Sequence, residues 1–263
     1  MTSSNKAPKT LHEKIDRLSE REANVVEDFV DALLKPIYSE ELPRTWLATP
    51  EWKEAFLARL RGHHALSIEP LSTTQFEAAF NYACSISGWR VEAASSATQR
   101  FFDTIISAGE GAERKLSLKA SSARDMGVDK VHISKLTEAA WIQDARRQAD
   151  RRNRIVALFE EYRHTTSSII MLRGFEGRDG YQVFYELVEI PTSIFAPVAG
   201  LTVEQAQPGT IRIPPGSTPR NAHFAIRIDR SDAKITLTGV RLEECIIHGR
   251  WGLQGTVTSA KVE

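Results

Sequence analysis

Cysteine is scarce in this chain, with only Cys84 and Cys245 among 263 residues. That count excludes a disulfide framework, and the spacing excludes a cysteine-based zinc site. No run of 18 apolar residues occurs, so no membrane span is expected. Residues 1–10 are polar, carry two lysines and lack the apolar stretch of a secretory leader. The expected compartment is therefore the cytoplasm. Net charge is missing too, because Lys plus Arg equal Asp plus Glu at 34 each. A globally basic nucleic-acid binder is thereby excluded, but a locally basic one is not. Internal repeats and low-complexity tracts are absent as well.

The composition is that of a globular protein, 41% hydrophobic and 26% charged. The length suits one large domain or a core with a smaller lobe. Charge is unevenly spread. Ala112–Arg154 holds 11 Lys/Arg against 6 Asp/Glu, a net of +5, whereas Met1–Leu60 holds 9 against 11, a net of −2. The basic stretch is either a phosphate-binding surface or a solvated helical face.

Apolar residues recur at helical spacing over Leu11–Leu34, ended by Pro36, and again over Glu51–Arg61 behind Pro50. A third helix starts near Ser72, with Phe76, Ala79, Phe80, Ala83 and Cys84 as its stripe and Gly88 as its stop. The period then changes to two. Trp89–Glu92, Phe101–Ser107 and Lys115–Ala120 read as strands, with a turn at Ala108–Gly111. A helix is predicted from about Ser134 to Arg163, then strands at Ser167–Arg173 and Tyr181–Ile190. The β-branched tail from Ile211 to Val262 contains a hairpin pairing His223–Asp229 with Lys234–Val240. This order predicts an α/β fold, a mixed central β-sheet flanked by helices. We divide it into a helical N-terminal region (1–70), a central core (71–191) and a β-rich C-terminal region packed on that core (192–263).

One pair of residues suggests chemistry. Asp103 and Lys119 are separated by fifteen residues and lie on two strands expected to be neighbours. Alternation puts Ser117 and Lys119 on one face of the second strand and Leu116 and Leu118 on the other. Phosphodiester cleavage calls for such a group. A metal held by carboxylates neutralises the anionic phosphate and lowers the pKa of a bound water. A neighbouring lysine orients that water and stabilises developing charge. By spacing alone the pattern is weak, and an exposed hairpin with ordinary charges is the better reading.

The chain resembles the SmaI-type type II restriction endonucleases, within the nuclease class whose motif is an aspartate followed by acid-x-lysine. The resemblance runs from about Phe56 to Trp251. It is carried by Arg59-Leu60, His63-His64, Phe76-Glu77, Asp103, Ile105, Leu118-Lys119, His132, Ser134-Lys135 and Trp141-Ile142. The longest block is Tyr185–Pro191, and Cys245-Ile246, His248 and Trp251 follow. What the resemblance implies is Mg2+-dependent cutting of duplex DNA at a palindromic, GC-rich site, leaving 5′-phosphate ends. It also implies a homodimer and a companion DNA methyltransferase acting on the same site. Asp103 would hold the metal and Lys119 would position the attacking water. Ser117 occupies the position where the class usually has an acid, and a hydroxyl is a poor substitute for a carboxylate ligand. Glu77, on the preceding helix, is then either the second metal ligand or a surface glutamate. A catalytically inactive DNA-binding module or a repair-type nuclease would share the same fold.

Other residues have two readings each. His63 and His64 either contact DNA or complement a helix C-terminus. Lys130, His132 and Lys135, and Arg124 just beyond the lysine strand, either approach the phosphate backbone or face solvent. Arg147, Arg151 and Arg154 share a helix face toward DNA, a partner subunit or solvent. Glu186 and Glu189, sent to opposite faces by strand alternation, read first as structural acids at the core edge, with the alternative that one touches the catalytic centre, and Cys245 reads as a small core residue and not a nucleophile. His248 and Trp251 either read bases or close the fold.

Overall fold

The computed structural model describes residues 10–94, 101–108, 111–122, 129–207 and 209–254. The single N-terminal helix expected from periodicity is two. Helix α1 (Leu11–Ile15) stops before Ser19, which caps α2 (Glu20–Leu34) through a reciprocal box with Glu22. Serine competes for backbone hydrogen bonds and breaks a run that apolar spacing alone would continue. A short strand β1 (Ile37–Ser39) follows. Thr49 and Pro50 open α3 (Pro50–His64), and Ser72 with Gln75 boxes the start of α4 (Thr73–Ile86). Gly88 has a φ of +75°, the left-handed value that a chain leaving a helix needs and that glycine adopts without strain.

The remaining elements are β2 (Arg90–Ala93), β3 (Thr104–Ser107), β4 (Arg114–Ser122), β5 (Lys130–Glu138), α5 (Trp141–Asp144), α6 (Gln148–Thr165), β6 (Ser168–Glu176) and β7 (Val183–Pro191). After a 3-10 segment at Thr192–Gly200 come β8 (Thr210–Ile213), β9 (Phe224–Asp229), β10 (Lys234–Arg241) and β11 (Ile246–Leu253). The fold is mixed α/β. A seven-stranded sheet has the order β1-β11-β7-β6-β4-β3-β2, and a four-stranded sheet has the order β5-β10-β9-β8. Every pair is antiparallel except β4 with β6. A parallel pair needs a long crossover, and the chain between β4 and β6 supplies it through β5, α5 and α6.

Strands β6 and β7 are buried along nearly their whole length, which explains their unbroken apolar runs. Alternate residues serve different cores. Ile170, Leu172, Tyr185 and Leu187 pack with α3 and α4, through Phe56, Phe76 and Phe80. Ile169, Met171, Val188 and Ile190 pack with Ile155, Phe159 and Tyr162 of α6 and with the inner face of the four-stranded sheet. Helices therefore cover one face of the main sheet, and α6 with the second sheet covers the other. Strand β5 pairs with β10, and β11 enters the main sheet between β1 and β7.

One expectation is corrected. The helix predicted from Ser134 begins at Gln148, and Ser134–Glu138 belongs to strand β5. Val131 and Ile133 point inward at period two and pair with β10, a partner a hundred residues downstream that local propensity cannot sense. No helix among the described residues is long and apolar enough to cross a membrane.

Candidate active site

Asp103 stands one residue ahead of β3, where its N–H donates to the Leu116 carbonyl at 2.8 Å and extends the β3–β4 ladder. The chain arrives there constrained. Phe101 has a φ of +78°, a strained value for a bulky residue, and is buried edge-on against Tyr162 with ring centroids 5.1 Å apart. Its carbonyl accepts from the Thr166 hydroxyl at 3.0 Å. The aspartate is thus delivered to the middle of β4 by packing as well as by pairing.

Three groups of β4 donate to a single oxygen of Asp103. Oδ2 accepts from the Leu118 N–H at 2.7 Å, from Lys119 Nζ at 3.1 Å and from Ser117 Oγ at 3.2 Å. Oδ1 has no partner among the described residues. Leu116 and Leu118 point into the α3–α4 core, so Ser117 and Lys119 occupy the other face. Ser117 is buried, whereas the side chains of Asp103 and Lys119 remain 34% and 22% exposed. The buried Tyr162 phenol bears on both Ser117 and Asp103, and burial pushes its pKa up.

Glu77 reaches this corner from α4. Its helix buries Phe76, Ala79, Phe80 and Ala83, which leaves Glu77 half-buried at the margin of the stripe. Burial raises its carboxyl above the usual range, the charge of Asp103 raises it further, and Lys119 opposes both. The two carboxylates therefore feel one another. A hard dication such as Mg2+ takes oxygen ligands, keeps several waters and needs only one or two carboxylates. The free Oδ1 of Asp103 and the half-buried Glu77 fit that requirement. No cluster of three or more His, Cys, Asp or Glu occurs among the described residues.

A cavity of about 730 Å³ opens beside Lys119, between the N-terminus of α4 (Ser72, Thr73), the end of β4 (Ser121, Ser122) and β5 (His132, Ser134, Lys135). His132 is held below the usual histidine range by burial and by Arg227. Lys135 pairs with Glu138, and Lys130 is exposed at the start of β5.

The homology to known proteins is decisive at this point. The family model described as SmaI, type II site-specific deoxyribonuclease, matches residues 12–253. The chain belongs to the SmaI family. It is 27% identical over 236 residues to the type II restriction enzyme SmaI of Serratia marcescens, covering 84% of this chain and 90% of that protein. No solved structure matches the chain. This SmaI-family member is thus a site-specific endodeoxyribonuclease.

Several residues singled out in the sequence have structural posts instead. His248 is one: its ring is buried, with Nδ1 bonded to Thr45 Oγ1 at 2.7 Å and Nε2 to Glu189 at 2.9 Å, so both ring nitrogens are engaged within the protein. His64 is likewise spent. Its Nδ1 meets the Ser67 carbonyl at 3.0 Å, its Nε2 meets the Tyr185 hydroxyl at 2.8 Å, and burial lowers its pKa to about 4. His63 binds the Glu69 carbonyl at 2.7 Å, so the two histidines brace the α3–α4 turn. Arg151 is buried and donates to the carbonyls of Ala145, Arg146 and Ala206, which removes it from any DNA-facing row. Cys245 is half-buried, with a thiol pushed up to about 12 by burial. Arg124 lies outside the described residues. Phe101 and Tyr162, which shape the approach to Asp103, gave no sequence signal beyond being aromatic.

Proposed function

We propose that this enzyme hydrolyses both strands of duplex DNA with Mg2+, at a palindromic GC-rich site, leaving 5′-phosphate ends. The observation that carries the reading is the one-sided satisfaction of Asp103, with three donors on Oδ2 and Oδ1 left over. Bound Mg2+ would neutralise the phosphate and acidify a coordinated water. Asp103 and Glu77 are the groups that would hold it. Leu118 N–H and Ser117 fix the Asp103 carboxylate, so its free oxygen keeps one direction. Ser117 thus acts as a positioning residue where related nucleases carry an acid. Lys119 bridges Asp103 to the cavity and is placed to orient the attacking water and to stabilise charge growing on the phosphate. His132 and Lys135 line that cavity, and with Lys130 at the start of β5 they are read as contacts to the DNA backbone.

A two-fold homodimer matches a palindromic site, since protein and DNA symmetry mirror one another. Guanine-rich sites offer O6 and N7 to Arg or Lys. The enzyme is read as cytoplasmic, with a companion methyltransferase protecting the same sites. The test is incubation with plasmid DNA in Mg2+ and in EDTA. Discrete bands in Mg2+ alone support the reading, and mapping their ends checks the 5′-phosphate. A smear would favour a repair-type nuclease. Retained binding without cutting would favour an inactive DNA-binding module.

A further inference from the structure

The cavity beside Lys119 continues into a second one. This neighbour, of about 520 Å³, is lined by Arg227, Asp229, Arg230, Lys234 and Thr236, and the two cavities share His132 and Ser134. The join follows from the pleat of the four-stranded sheet. Val131, Ile133, Ile226, Ile235 and Leu237 turn inward to the core. Their neighbours in sequence, His132, Ser134, Thr236 and Arg227, must then turn outward. The register aligns them. Thr236 stands opposite Arg227, Arg227 opposite Thr210, and the Thr236 hydroxyl donates to the Ser134 carbonyl at 2.9 Å. A row of small polar residues with one arginine thus crosses all four strands, and exposed Arg212 lies alongside on β8.

The charges on this face are not equally free. Lys135 is paired with Glu138, and Lys234 with Asp229 and Asp232. Arg230 donates to the Gln143 carbonyl at 3.5 Å and has no carboxylate partner among the described residues. Arg227 is exposed and has no carboxylate partner among the described residues. Its charge is felt by His132 inside the shared lining. An unneutralised arginine, in a polar hollow continuous with the cavity beside Lys119, is complementary to a polyanion leaving that cavity.

We infer that the outer face of the four-stranded sheet is a DNA-binding surface that holds the duplex flanking the cut site, with Arg227 contacting its phosphates. The inference rests on the nuclease reading above and extends it to a part of the chain outside the catalytic corner. Its probe is a linear plasmid fragment that the full-length chain cuts, titrated in gel shifts with Ca2+ in place of Mg2+ over a range of salt. Arg227→Ala should weaken binding about tenfold at low salt. It should also flatten the log–log salt dependence by about 0.9, the value of one lost phosphate contact. Arg227→Lys should keep most of the affinity and the slope. The thermal midpoint of each variant checks that the fold survives. If Arg227→Ala binds with wild-type affinity and slope, the surface is solvent-facing and the inference falls. If Arg227→Lys is as weak as Arg227→Ala, the electrostatic account falls. If the wild-type chain neither binds nor cuts plasmid DNA, the nuclease reading itself fails, and this one with it.

Discussion

Two acidic side chains on the same sheet are treated in opposite ways. Glu186, on β7, accepts from Arg173 on Oε2 and from Arg250 on Oε1 at 2.9 Å, and Arg250 reaches on to Glu40 at 3.1 Å. Both Glu186 and Arg173 are fully buried. Asp103, three strands away across the sheet, collects its three donors on one oxygen and stays a third exposed. Glu189 is buried like Glu186 but takes its donors on one oxygen: Trp46 Nε1 and His248 Nε2 both donate to Oε2, and those bonds outweigh burial and leave its carboxyl below the usual range. A carboxylate whose oxygens are consumed by the protein fastens strands together. One with an oxygen to spare at the rim of a cavity has capacity for chemistry. The Tyr185–Pro191 block thus carries the two buried acids, Glu186 and Glu189, while the part-exposed Asp103 lies outside it.

The sharpest way to break the contrast is Asp103→Ala. Cleavage should fall by at least about 10³-fold, because metal holding and charge neutralisation are lost together. DNA binding in Ca2+ should hold or rise, since a negative charge near the phosphate is gone. Plasmid-cutting and gel-shift titrations on one preparation decide it, and an Asp103→Ala enzyme that still cuts efficiently would remove Asp103 from the site. Glu186→Ala should do the reverse. It strands buried Arg173 without its partner and should cost about 3–5 kcal/mol of stability in urea unfolding. Cutting by the protein that remains folded should persist. A stable Glu186→Ala chain that no longer cuts would place Glu186 with Asp103 instead of against it.

Glu77 offers a subtler test through its raised pKa. A carboxyl raised on folding stabilises the fold while protonated, and that contribution is lost as pH climbs through its folded value. At neutral pH without metal, Glu77→Gln should therefore raise the melting midpoint. The gain should vanish below about pH 4.5, where wild-type Glu77 is itself protonated. The same variant should lose ~10-fold or more in apparent Mg2+ affinity, read from the metal dependence of cleavage. A Glu77→Gln protein with no gain in midpoint and normal metal dependence would return Glu77 to the surface. The smallest effect belongs to His64. Its depressed pKa gives stability that is full above pH 6.5 and drains away as pH falls toward about 4. His64→Gln should flatten that decline, which one proton limits to about 1.4 kcal/mol per pH unit. Urea midpoints across the window measure it.

Much of the corner was legible. Asp103, Lys119 and the apolar face of β4 follow from period-two alternation and a short intervening loop. Ser72 announced the helix that brings Glu77. What stayed hidden depends on distant pairing. Residues 134–141 are acceptable helix formers, and only β10, far along the chain, makes the first of them a strand. His248 looked as available as His132 until its partners, Thr45 and Glu189, were in place 203 and 59 residues away. Arg227 was hidden for the same reason, because its neighbourhood with His132 exists only once three strands align.

The position of β11 has a consequence for how the enzyme comes into being. It lies between β1 and β7, so the N-terminal strand has no neighbour to pair with until residues 246–253 are available. On the ribosome, β1 and Glu40 emerge early and must wait for Gly252 and Arg250, among the last described residues to be made. The segment from α4 to β4, residues 73–122, contains Glu77, Asp103 and Lys119 within fifty positions and needs no such delay. Translation thus delivers Glu77, Asp103 and Lys119 early, while the sheet that flanks them closes only once residues 246–253 have been made.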